Sequence, residues 1–341
     1  MTPPMVHQPA EWERHSACWL AWPSQQHLWR ENLAPAQAEF AALCQAITEH
    51  GGESLDLLVP DEATEAQARE ALAAILGQVR FHRVPVGDIW LRDTAPIFVK
   101  DGAGRLHAAC FRFNGWGGKY LLPGDDQVAL RVAALSGLPR LDPGWILEGG
   151  SVEVDGEGTV LTTRQCLLNP NRNPGLDQAQ IEIALREGLG AEKVLWLDEG
   201  LINDHTDGHI DTLARFVAPG VVVCMEAEDS ADPHAATLDR VAAELASFTD
   251  ARGRRLEVVR IPSPGVVRDA EGGLMPASFV NFYIGNRSVV VPTYGTPYDE
   301  AAVAALVPLF PGRRVLGRPA RAILSGGGAF HCITQQQPEV S

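Results

Sequence analysis

"WILEGGSVEVDGEGTVLTT", residues 145–163, holds two runs of alternating apolar and polar residues linked by Asp155-Gly156-Glu157-Gly158. Alternation at period two marks strands, and a short Gly/Asp link closes such a pair as a hairpin. Working outward, a comparable unit of β-like run, turn, second β-like run and often a helical stretch recurs about five times. One unit holds "SLDLLVP" and the amphipathic "EATEAQAREALAAILG", and the next spans "VRFHRVPV", "APIFV" and "LHAACFRF". The hairpin above is the third. A fourth runs from "KVLWL" through "HIDTLARFVAPGVVVC" to "AATLDRVAAELASFT". The fifth runs from "LEVVRIPS" through "SFVNFYIGNRSVVVPTYG" and "DEAAVAALVPLF" to the closing "HCITQQ". Strands alternating with helices predict an α/β protein. The hairpins, and the lack of a strand–GxGxxG–helix unit, argue against dinucleotide binding. No Ser/Gly linker divides the chain, so residues 1–341 read as one body of repeated units. "AQAEFAALCQAITEHGG" reads as a core helix stopped by Gly51-Gly52.

Composition narrows the function. With 45% hydrophobic and 21% charged residues, the chain has the makeup of a globular protein with a real core. No apolar run approaches the ~18 residues of a membrane helix. The opening "MTPPMVHQPAEWERH" lacks the basic-then-apolar pattern of a signal peptide, so the chain reads as cytoplasmic. The six cysteines (Cys18, Cys44, Cys110, Cys166, Cys224 and Cys332) are scattered without a CxxC pair, which favours free thiols. A net charge of −15 argues against nucleic acid, which needs a basic stripe. It suits a small cationic ligand, though it equally serves to keep a protein in solution.

Four stretches hold acidic, His or Cys residues between β-like runs: "DIWLRDTAP" (88–96), "EGGSVEV" (148–154), "NDHTDGHID" (203–211) and "GGGAFHCITQQ" (326–336). Five cysteines read as small core hydrophobes. Cys332 differs, following three glycines that allow close backbone approach to a ligand. On an extended strand His331 would point away from it, so an activating base must come from elsewhere. In "NDHTDGHID" an extended reading puts His209 and Asp211 on one face with Ile210 toward the core, and leaves His205 as a loop residue. A zinc site on His205, His209 and Asp211 is the rival reading, but Gly208 and the β-like run that follows oppose the helix an i, i+4 His pair needs. Alone, "DIWLRDTAP" reads as Arg92 paired with a carboxylate (Asp88 or Asp93), with Trp90 in the core. Trp12, Trp19, Trp22 and Trp29 read as core or blade packing and not as a binding surface.

"WLRDTAP", "FNGWGGKY", "EGG", "NRNP", "TDGHID" and "GGGAFHCITQQ", in this order, together with the opening "PAEWERHSACWLAWP", resemble the agmatine deiminase family over nearly the whole chain. That resemblance implies the guanidino-group-modifying superfamily and its pentein fold, a five-bladed α/β propeller with the active site on the central axis. It implies hydrolysis of agmatine to N-carbamoylputrescine and ammonia, with arginine or peptidyl-arginine as alternative substrates. Carried over residue by residue, Cys332 matches the nucleophile, His209 the general acid/base and Glu148 the carboxylate that orients it. Asp93 and Asp211 match the pair gripping the guanidinium, and Trp90 and Trp116 line the channel. The resemblance implies no metal or organic cofactor, no membrane partner, and a homodimer. One departure is Ala329-Phe330, where the family usually carries an Asn-Ile-like pair.

Overall fold

The computed structural model describes residues 5–50 and 52–340. The hairpin forms as read: Val152–Val154 pairs antiparallel with Thr159–Thr163. Asp155 Oδ1 closes the turn by accepting the N–H groups of Glu157 and Thr159 at 2.8 and 2.9 Å. A helix, Gln178–Leu189, starts on a reciprocal Asp177/Gln180 capping box and leads to Lys193–Leu197. That strand pairs parallel with Thr159–Thr163. A short turn can make only an antiparallel pair, and a parallel partner needs a crossover, which the helix supplies.

The same antiparallel-then-parallel plan recurs in four further sheets. Ala214–Ala218, Val221–Glu226 and Glu257–Pro262 form one, around the helix Ala235–Ser247. Tyr283–Ile284, Ser288–Thr293 and Arg314–Pro319 form another, around Asp299–Leu306. Ile97–Asp101, Leu106–Ala109 and Arg140–Leu141 form a third, edged by Val6–His7. In the last, Gln335–Pro338 pairs antiparallel with His15–Ala21, which continues through Ser54–Val59 to Val79–Arg83. Strands at residues 15–21 and 335–338, far apart in sequence, therefore share one sheet, and the five sheets are the blades of an α/β propeller.

This connectivity corrects the boundaries of the sequence units. The strand after each crossover helix returns to its own sheet, so "VRFHRVPV", "KVLWL" and "LEVVRIPS" each finish a unit rather than open the next. Likewise "QQ" of "HCITQQ" belongs to the blade of residues 15–83. Within Val221–Glu226, residues 222–225 are all buried, which explains the unbroken apolar run of a strand covered on both faces. The core helix spans Leu33–Thr48. Gly51 of its expected stop signal lies outside the described residues, as do residues 1–4. All six cysteines are free and buried. Among the described residues, no helix is long and apolar enough to cross a membrane.

Candidate active site

Turns from different blades meet at one point. A Cβ built on Gly150 would lie 2.6 Å from His209 Nδ1, 2.9 Å from Asp93 Oδ1 and 3.0 Å from Asp211 Oδ2. Any side chain at 150 would displace these groups, which is why "EGG" carries glycine there. Cys332 Sγ is 3.6 Å from Asp211 Oδ2. Glu148 Oε2 is 3.4 Å from His209 Nε2. Trp116 and the Gly150 N–H donate to the two oxygens of Asp93 at 2.8 and 2.9 Å. The structure thus gathers Cys332, His209, Glu148, Asp93, Asp211 and Trp116 around one centre.

The local conformations differ from the extended reading. Ile210–Thr212 is a single 3-10 turn with His209 at its N-cap, and Phe330–Ile333 is a helical turn. Ile210 is buried as expected, yet it is this turn, not strand alternation, that brings His209 and Asp211 to the same point. The turn at 330–333 aims His331 at carboxylates: Nδ1 lies 2.7 Å from Asp211 Oδ2 and Nε2 lies 2.9 Å from Glu11 Oε2. Glu11 in turn accepts from Arg215 at 2.8 Å. This buried network supports the thiol turn from behind.

Burial works against every charge here, and pairing decides the outcome. Glu148 is held below the usual carboxylate range despite burial, by His209 and by Arg172, whose Nε donates to it at 2.8 Å. Asp211 is likewise held low against burial by the hydrogen bond from His331. Asp93 is pushed up by burial, with His209 opposing and Asp211 and Glu148 adding to the rise. Burial would lower His209, but Asp93, Cys166 and Glu148 raise it well above its ordinary value. Burial, Asp211 and Asp93 push the Cys332 thiol well up. Two buried polar atoms, His209 Nδ1 and Asp211 Oδ1, have no hydrogen-bond partner among the described residues. Since Nε2 faces Glu148, Nδ1 is the ring nitrogen free to work on a ligand.

A cavity of about 250 Å³ leads to Cys332. Trp29, Trp90, Trp116 and Tyr120 wall it, and Asp88, Asp93 and His205 contribute polar groups. Trp29 stacks on Trp90 at 6.1 Å between ring centroids; it is buried in the core as expected and also walls the pocket, a role not read from the sequence. Asp88 is not held by Arg92. It accepts the indole N–H groups of Trp29 and Trp90, each at 2.9 Å. Arg92 instead reaches Gln336 at 2.6 Å, with Glu11 at 3.4 Å. His205 is the loop residue expected, and it is exposed at the pocket mouth, with Tyr120 Oη 3.3 Å from its Nδ1. Trp116 adopts φ 52°, a left-handed conformation costly for a side chain this large. The Asp93 bond and an edge contact to Phe113 at 4.8 Å hold it there.

His205, His209 and Asp211 are not gathered as a ligand set. Among the described residues the one trio of metal-type donors is Glu148, Cys166 and His209, and Arg172 already places its cation on that carboxylate. Cys166 Sγ, 3.7 Å from Glu148 Oε2, had read as an ordinary core thiol. Asn281, Glu11 and Arg172 also escaped the sequence reading. Their signal was a polar residue buried in an apolar or turn context, visible at Asn281 within "SFVNFYIG".

The closing glycines now have a reason. A Cβ on Gly328 would meet Trp90 Cζ3 at 2.7 Å and Cys332 Sγ at 3.0 Å. Gly328→Ala is expected to lower kcat/KM by about 10- to 100-fold through misplacement of the thiol. Steady-state kinetics beside a melting curve checks this; unchanged kinetics in a normally folded variant would contradict it.

A five-bladed α/β propeller with a thiol, paired acids and a His–Glu pair on its axis is the architecture of enzymes that modify guanidino groups. The chain belongs to the Porphyromonas-type peptidyl-arginine deiminase family, whose profile matches residues 7–338. It is 42% identical to the agmatine deiminase of Stutzerimonas stutzeri and 40% identical to that of Ectopseudomonas mendocina, over 97% of this chain and 95% of each relative. Its fold superposes on the solved agmatine deiminase of Enterococcus faecalis with a TM-score of 0.92 and 32% identity, covering 99% of this chain and 97% of that one. The chain is a hydrolase of guanidino C–N bonds.

Proposed function

We propose that this chain hydrolyses agmatine to N-carbamoylputrescine and ammonia through a covalent adduct on Cys332. The observation that carries the reading is the charge of the pocket. Asp88 and Asp93 line it, and among the described residues no Arg or Lys does. A ligand cationic at both ends, guanidinium and primary ammonium, matches that lining. Free arginine would bring its α-carboxylate toward Asp88 with no cation to receive it, and a peptidyl-arginine would offer Asp88 no ammonium. Ammonia release from agmatine, arginine and an arginyl peptide tests the assignment. Agmatine is expected to lead in kcat/KM by about 10³-fold or more; a preference for either rival would contradict it.

The mechanism follows from the geometry. A guanidinium is planar and cationic, so Asp93 and the unpartnered Asp211 Oδ1 can each accept its N–H groups and fix its plane. Its charge offsets the two carboxylates that hold the thiol protonated, so binding favours release of the thiol proton to solvent and leaves the thiolate. Sγ then adds to the guanidino carbon. The His209 imidazolium passes a proton to one nitrogen, the C–N bond breaks, and ammonia leaves. The neutral ring next takes a proton from water, which attacks the S-linked carbon. The C–S bond breaks and frees the ureido product. Glu148, fixed by Arg172, keeps the ring oriented and favours its charged form.

Asp88 supplies the selectivity for the amine end. Burial pushes its carboxyl up to about 6, with the Trp29 and Trp90 indoles pulling back. Only the ionised form attracts an ammonium, so KM for agmatine is expected to rise as pH falls through about 6. Asp88→Asn should lower kcat/KM for agmatine by about 10- to 100-fold, mostly in KM, the loss expected for a charge-assisted bond. An alkylguanidine without the amine should show neither effect. If it does, Asp88 is not the ammonium partner.

A further inference from the structure

Asn281 stands in "SFVNFYIG", flanked by Phe279, Val280, Phe282 and Tyr283, all of them fully buried, and is itself 1% exposed. A buried amide demands partners on both its atoms, and here the partners dictate which way it points. Oδ1 accepts the backbone N–H of His331 at 3.1 Å and lies 3.4 Å from that of Cys332. Nδ2 donates to the carbonyl of Asp211 at 3.2 Å. A backbone N–H can only donate and a carbonyl can only accept, so turning the amide over would break both contacts. The remaining N–H of Nδ2 therefore faces Cys332 Sγ, 3.2 Å away.

We propose that Asn281 is a catalytic residue of this site, the fixed hydrogen-bond donor that stabilises the Cys332 thiolate when it attacks and again when it is expelled. The inference rests on Cys332 being the nucleophile. Among the described residues, no hydrogen bond joins Sγ to a cationic side chain. The charged and titratable groups gathered with it are Asp211 at 3.6 Å, Asp93, Tyr294, His331 on its own turn, and His209, which makes no hydrogen bond to Sγ. Two of these are carboxylates that oppose a thiolate, so an oriented amide is the donor this sulfur needs. The Asn281 amide and the Ala329 N–H are what pull the thiol back toward ionisation against burial and the two acids. While the thiol keeps its proton, Oδ1, 3.4 Å from Sγ, can accept the S–H. One side chain thus serves both states. It also ties the 209–212 turn to the 330–333 turn, setting Sγ relative to Asp211.

The test is the pH dependence of Cys332 alkylation by iodoacetamide in the absence of substrate, located by peptide mass spectrometry. Asn281→Asp keeps the acceptor for His331 and removes the donor; Asn281→Ala removes both. In both, the midpoint of alkylation is expected to rise by about one pH unit or more. kcat should fall by about 10²-fold, the scale of losing one preorganised donor. Folded variants whose alkylation midpoint and kcat match the native enzyme overturn the proposal, because a purely structural role would not move the thiol's ionisation. In unsubstituted enzyme labelled with 15N-asparagine, one side-chain amide must titrate with the alkylation midpoint; none doing so also overturns it. If alkylated Cys332 leaves turnover intact, the nucleophile assignment itself fails, and this inference with it. If alkylation abolishes turnover while the variants leave the midpoint unmoved, only the role of Asn281 falls.

Discussion

With Cys332→Ala, agmatine turnover is expected to fall by about 10⁴-fold or more, the loss that follows removal of a covalent nucleophile. The guanidinium is a poor electrophile, and the covalent route divides its hydrolysis into two easier steps. Without Sγ, water would have to attack the cation directly. The substitution removes one sulfur from a wall shared with Gly328 and Trp90, so the variant should fold and still bind agmatine. Binding by calorimetry beside a turnover assay separates the two effects. Loss of both together would mean a misfolded site, and retained turnover would remove the thiol from the mechanism.

His209→Gln is expected to lower kcat by about 10³- to 10⁴-fold, because in the proposed mechanism one ring serves as acid in the first half of the reaction and as base in the second. Glutamine keeps a hydrogen-bonding group near Glu148 but carries no transferable proton. Asp93 and Glu148 hold the native ring in its protonated form against the cost of burial. The acid needed for ammonia departure is therefore already in place at neutral pH. The limb of the kcat profile assigned to the ring should vanish in the variant. A profile of unchanged shape would assign that proton transfer to another group.

Much of the site was legible because its residues sit in short turns whose composition fits nothing else: a thiol after three glycines, a glutamate before two, a histidine between acids. The turns' conformations were not legible. His209 and Asp211 meet through a 3-10 turn, and Cys332 sits on a helical turn, because contacts from other blades select these over the extended form that local preference favours. Five α/β units could be counted along the chain. The sheet to which each third strand returns could not, since parallel pairing is settled by a helix crossover and not by neighbouring residues. The pocket role of Trp29 was missed and Asp88 was misread for a related reason. Nothing local distinguishes an indole that packs in a blade from one that walls a pocket, or a carboxylate paired with arginine from one held by two indoles. Asn281 is the plainest omission, as its partners come from residues 211 and 331–332, far away in the chain.

The central claim is that Cys332 bonds to the guanidino carbon of agmatine. Acid quenching during turnover, followed by mass spectrometry of the peptide that carries residue 332, tests it most directly. The account predicts that this peptide alone gains the mass of agmatine less ammonia, and that the adduct disappears as substrate is exhausted. Ureido product accumulating while Cys332 stays unmodified at every quench time would contradict it.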